Sequence, residues 1–241
     1  MRSVPREKSA VLQKGDLNIF TYNNYREIIQ LTDKKNVWLR HDIDFSLKKA
    51  VEFAEFEATL GCRATYYILM NGYYYNPLCA ENIEKIKMIK DLGHSIGIHF
   101  DLTPIKDCDA DTQVMVINAY RAILEFSIQD EMRYITFHKP TNGVKPSYEL
   151  ITELANLGLY YPDMNQNFKY ISDSGSHWRE DPLNVLKNYN NVHINTHPVW
   201  WGEKDDVWES RIHDLRLDEI LERQLIKELN NIRMYREQFD D

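Results

Sequence analysis

At 241 residues and 43% hydrophobic, the chain is long enough for one substantial core. A formal net charge of -8 argues against nucleic acid or an anionic membrane surface as partner. Three scattered cysteines, Cys62, Cys79 and Cys108, form no CxxC pair and exclude a thiolate zinc site or a disulfide framework.

The N-terminal MRSVPREKSAVLQKG carries no apolar leader core, and no run approaches the roughly 18 apolar residues that span a bilayer. A reduced, cytoplasmic protein without a membrane span is expected. No repeat or Pro/Gly/Ser linker interrupts the chain, so residues 1–241 read as a single domain. NVWLRHDIDF reads as the first strand. SLKKAVEFAEFEATLG follows as a helix, with Leu47, Val51, Ala54 and Ala58 on one stripe and Gly61 as its stop. RATYYIL is a second strand, AENIEKIKMIKDLG a helix stopped by Gly93, and HSIGIHF a third strand. ADTQVMVINAYRAILEF is a helix, MRYITFH a fourth strand and SYELITELANLG a fourth helix. LYYPDM, FKYIS and NVHINTH bring the count to about seven strands. Residues from about 211 to 236 pattern as one long amphipathic helix that could pack on the domain or mediate a homodimer.

Strand–helix alternation predicts an α/β fold with parallel strands, closed as a barrel or open as a sheet. In both, ligands gather at the C-terminal strand ends. Those ends hold a pattern. The first closes on His41, Asp42 and Asp44, the third on His99 and Asp101, and the fourth on His138. A later one closes on Asp173, with His177 just beyond, and the last on His197 before Pro198-Val199-Trp200-Trp201. Asp42 or Asp44 could instead cap the helix that starts near Ser46. His94, His193 and His213 read as structural or exposed. One tryptophan of the Trp200-Trp201 pair reads as core and the other as a wall for a flat ligand. Residues two apart on a strand share a face, so Asp42 and Asp44 point together and repel unless a cation or proton lies between them. Asp and His donors without thiolate suit a divalent ion, zinc foremost, with Co, Mn, Ni or Fe as alternatives. Such an ion, a carboxylate base and a histidine acid are the parts for hydrolysing an amide or ester. No G-x-S-x-G, Walker A or strand-linked G-x-G-x-x-G is present.

In order along the chain, RHDID, GHSIGIHFD, FHKP, YISDSGSHW and NTHPVWW resemble the motifs of the polysaccharide deacetylase family, the NodB-homology or carbohydrate esterase 4 group. The similarity is greatest to a branch whose first motif is H-D-x-D, and it spans residues 37–201. It implies a distorted (β/α) barrel and metal-dependent removal of acetyl groups from N-acetylated sugars, nucleotide sugars or glycans. The resemblance makes Asp42 the catalytic base, Asp44 and His99 metal ligands, His197 the catalytic acid and Asp173 the residue that orients it. Trp178 would line the site. Two positions depart from the family. Its second metal histidine falls here on Thr103, and its base-holding arginine falls in the run His138-Lys139-Pro140-Thr141. His138 is therefore expected as the third ligand, and the Thr141 N–H, after Pro140, as an oxyanion donor. Lack of an export signal points to an intracellular substrate in surface-polysaccharide synthesis. The alternatives are hydrolysis of a non-sugar amide on the same fold, or an inactive carbohydrate-binding relic.

Overall fold

The computed structural model describes residues 19–139 and 144–216. Among these, strands β1 (Asn36–Ile43), β2 (Thr65–Leu69), β3 (Ser95–Phe100), β4 (Ile135–Phe137), β5 (Lys169–Ser172) and β6 (Asn191–Thr196) form one sheet. The order is β4-β3-β2-β1-β6-β5, and every pairing is parallel. The sheet curls into a half-barrel. The chain steps outward from β1 to β4, then returns on the other side through β5 and β6. Read around the curl the strands run β5-β6-β1-β2-β3-β4, the consecutive order of a (β/α) barrel left open between β4 and β5, and such folds hold their ligands at the C-terminal ends of the strands.

The α-helices among the described residues are α1 (Tyr22–Gln30), α2 (Leu47–Thr59), α3 (Ala80–Asp91), α4 (Ala110–Ile128), α5 (Tyr148–Asn156), α6 (Pro182–Asn188) and α7 (Trp208–His213). Ser46 caps α2, its Oγ accepting from Lys49 N–H at 3.3 Å, so neither Asp42 nor Asp44 is used as that cap. Gly61 and Gly93 take left-handed φ values of 67° and 94° just past their helices, as stop glycines do. The buried face of α2 carries Leu47, Ala50, Val51, Phe53, Ala54 and Glu57. The expected stripe therefore ends on Glu57 rather than on Ala58, which is exposed. Helix α1 is not among the elements expected from the sequence, and Tyr25 and Ile28 are its buried residues. It is held by the Thr21 cap and by packing of Tyr25 against Phe53 and Trp201.

Two expectations are corrected. LYYPDM is not a seventh strand. Tyr160 makes one isolated bridge to Tyr134, and Pro162, which has no N–H to give a ladder, opens a 3₁₀ turn over Pro162–Met164. The tail helix does not begin at Arg211, which lies inside the short α7. Arg216 has a left-handed φ of 48°, which ends that helical path. The remainder of the expected 211–236 helix, and any dimer through it, lies outside the described residues.

Candidate active site

The two faces of β1 are put to different uses. His41 faces α2, where its ring meets Phe53 and its Nε2 lies 3.0 Å from Glu57 Oε1. Arg40, Asp42 and, just past the strand, Asp44 turn to the other face, the inside of the curl. Strand β6 runs alongside with Arg40 opposite Asn195, so Asn195 and His197 join that face. His99 of β3 lies opposite Thr136 of β4, and His138 follows two residues later.

Three donor atoms converge there. Asp44 Oδ1 lies 3.4 Å from His99 Nε2 and 3.2 Å from His138 Nδ1, and those two nitrogens are 3.3 Å apart. Ligands about 2.0–2.1 Å from a tetrahedral ion stand about 3.3 Å from one another. Asp44 Oδ1 is buried and accepts no hydrogen bond among the described residues, an expense that a cation would remove. Burial pushes the Asp44 carboxyl up, but the His138 and His99 imidazoles beside it pull it well below the usual range. His99 Nδ1 lies 2.8 Å from Thr136 Oγ1, which leaves Nε2 as the atom facing the cluster. The donor set therefore fits a small divalent ion.

Asp42 stands beside this triangle, gripped from behind. Arg40 Nε donates to Oδ1 at 2.7 Å and Nη2 to Oδ2 at 2.8 Å, while Asn195 Nδ2 donates to Oδ2 at 3.0 Å. Burial pushes Asp42 up, but the Arg40 guanidinium more than reverses this, so the group is a carboxylate at neutral pH. On the other flank His197 Nε2 lies 3.7 Å from Asp44 Oδ2. Its Nδ1 faces Asp173 Oδ1 at 2.6 Å, and a carboxylate only accepts, so Nδ1 carries the proton. Asp173 is fully buried. Its Oδ2 also accepts the His197 N–H at 3.1 Å and the Trp201 Nε1–H at 2.8 Å. Burial pulls His197 down, yet Asp173 outweighs it and raises the imidazole to about 9.

Asp42, Asp44, His99, His138, Asp173 and His197 thus meet in one place. The tryptophans do not offer it a wall. Trp178 and Trp201 are 2% and 1% exposed, with their ring faces taken by neighbouring protein, and Trp200 is 6% exposed. Trp201 reaches the site only through its N–H on Asp173. Pro140 and Thr141 lie outside the described residues. Asp101 turns to a local task, its Oδ1 accepting from Thr103 N–H at 2.9 Å, and Thr103 is exposed. Arg40, Thr136 and Asn195 were not anticipated. The i, i+2 spacing of Arg40 and Asp42 was the one available signal, since Asn195 and Thr136 need the strand register to be placed.

No family model and no curated protein matches the sequence. Solved structures do match. One is a mutant with restored enzymatic activity of a CE4-family pseudoenzyme from Bacillus anthracis. It has a TM-score of 0.52 at 16% identity, covering 80% of this chain and 64% of that one. The fold is similar to that of this CE4-family structure. The chain spans just under two thirds of that structure's length. A chitin deacetylase from the fungal pathogen Colletotrichum lindemuthianum gives 0.49 at 14% identity, over 78% and 83% of the two chains. A family 4 carbohydrate esterase from Streptomyces lividans, in complex with acetate, gives 0.49 at 14%, over 68% and 79%. No helix among the described residues is long and apolar enough to cross a membrane.

Proposed function

We propose that this chain is a metal-dependent hydrolase that removes an acetyl group from an N-acetylated sugar, nucleotide sugar or glycan. The observation that carries the reading is the triangle of Asp44 Oδ1, His99 Nε2 and His138 Nδ1, flanked by one carboxylate and one protonated imidazole. Asp44, His99 and His138 would hold a divalent ion, zinc foremost. When bound, that ion supplies a Lewis acid for the acyl carbonyl and lowers the pKa of water. Asp42 takes the proton of the attacking water, as an anion held in one orientation can. His197 Nε2 gives a proton to the departing amine as the C–N bond breaks, so the products are acetate and a free amino sugar. Asp173 keeps the His197 ring in the tautomer and orientation for that transfer.

Acetate release from a panel of N-acetylated nucleotide sugars and oligosaccharides, with added zinc, cobalt or manganese, tests the proposal. His138→Ala should lose the bound ion and reduce turnover at least about 100-fold, the scale of a lost ligand rather than a lost orienting partner. A His138→Ala protein that keeps one ion per chain would remove His138 from the ligand set. Full wild-type metal content with no acetate from any of the panel would point instead to the non-sugar amide or the binding relic.

A further inference from the structure

The two acids of HDID stand side by side next to the same cluster, yet only Asp44 faces both imidazole nitrogens. Asp42 approaches the cluster on the His99 side alone and does not join Asp44, His99 and His138 as donors within 4.8 Å of one another. Its Oδ2 lies 3.9 Å from His99 Nε2, little longer than the edges of the triangle itself. A free carboxylate that close to a divalent ion would join its ligands. We infer that Arg40 sorts the two acids: its fork, helped by Asn195, withholds Asp42 from the cation and leaves Asp44 to bind it. This inference rests on the metal-centre reading above.

The grip is built to hold. Both Asp42 oxygens are occupied by the planar guanidinium at 2.7 and 2.8 Å, and Asn195 adds a third donor. Arg40 is itself anchored. Its Nη1 donates to Asp163 Oδ1 at 2.7 Å, its guanidinium lies 5.3 Å from the Tyr67 ring centre, and it is 2% exposed. Asn195 Nδ2 also lies 3.1 Å from Tyr170 Oη, which fixes the third donor. A lysine would bring the charge to this place without the fork. Arg40 touches Asp42 and no reacting atom, so it is a positioning residue. Its effect is to keep one acid off the ion and free to take a proton.

Cobalt titration of the full chain tests this, because the visible absorption of cobalt(II) weakens as its coordination number rises above four. Arg40→Met should bind cobalt more tightly, on the order of tenfold as added ligand charge does elsewhere, with a weaker visible band. Asp42→Asn alone should leave the visible band unchanged. The double variant should return to wild-type affinity and spectrum, since the extra ligand is then gone. Arg40→Met with unchanged affinity and band, or a change that persists in the double variant, overturns the inference. If Arg40→Met does not fold, Arg40→Lys is expected to shift in the same direction, and a wild-type spectrum there overturns it equally. The spectrum reads Arg40 whatever the acetate assay shows. Bound cobalt with these shifts and no acetate overturns the deacetylase reading alone, and a wild type that takes up no cobalt overturns both.

Discussion

Behind the site, Glu57 is fully buried and accepts three hydrogen bonds: from Tyr25 Oη, from Tyr66 Oη at 2.7 Å and from His41 Nε2 at 3.0 Å. His94 is near at 3.7 Å, but its Nδ1 accepts from Ala64 N–H and so gives nothing to the carboxylate. Glu57→Leu keeps the volume and orphans all three donors. Each orphan costs about 1–3 kcal/mol, about 3–9 kcal/mol gross. The mutant no longer buries an anion, which returns several of these, so the net loss is about 3–5 kcal/mol. In a chain of this size that is a fall in Tm of roughly 6–20 °C. Urea unfolding followed by fluorescence should show a lower midpoint with an unchanged slope. The effect also has a pH signature. Burial pushes Glu57 up, but His41, Tyr25 and Tyr66 hold it below its ordinary value of 4.5. A carboxyl depressed by folding stabilises above its unfolded pKa, and that stability is lost as pH falls through the folded value. The gap between wild type and Glu57→Leu should thus be full above about 4.5 and narrow at more acid pH. A loss under about 1 kcal/mol, or a gap that does not narrow in acid, would refute the reasoning, because three orphaned donors cannot be that cheap.

Thr136→Val removes the partner of His99 Nδ1, so metal affinity should fall about 10–100-fold in chelator competition, and an unchanged affinity would show that the ring needs no such support. Asp173→Asn removes the charge and leaves one acceptor oxygen where three donors converge, so NMR of the metal-free chain should show the His197 imidazole pKa falling from about 9 toward its ordinary 6.5. A value that stays near 9 would assign the shift to another anion.

The sequence made the site more legible than its supports, for a physical reason. Parallel strands must end where their crossovers begin, so acids and imidazoles that close apolar runs are brought to one rim whatever the exact sheet order. That rule assembled Asp42, Asp44, His99, His138, Asp173 and His197 without coordinates. The partners that aim these groups come from register, which periodicity does not carry. Asn195 reaches Asp42 because β6 lies beside β1 with Arg40 opposite Asn195, and Thr136 reaches His99 because β4 lies beside β3. Glu57 was read past because the stripe of α2 was drawn through its apolar residues. Three donors from other elements turn that stripe inward onto a charge. Trp201 is the core member of its pair. An aromatic near a predicted rim suggests a ligand wall, but this indole fills the space between Phe20, Tyr25 and Trp178 and spends its N–H on Asp173.

The curl of the sheet explains how His138 can stand in a cluster with Asp44 at all. Strands β1 and β4 are separated by β2 and β3, and three steps of about 4.8 Å would put them about 14 Å apart in a flat sheet. Yet His138 Nδ1 lies 3.2 Å from Asp44 Oδ1. Only a concave inner face lets side chains from both strands meet, and a concave face is short of room. Gly97 on β3 relieves that crowding. A Cβ there would come within 2.7 Å of the Tyr67 ring, the same ring that lies beneath Arg40. The small residue at 97, the ring at 67 and the guanidinium at 40 therefore stack inside the curve and leave the rim above them to the ionisable groups. A donor set spread over β1, β3 and β4 is thus a property of the sheet's curvature as much as of the residues at its strand ends.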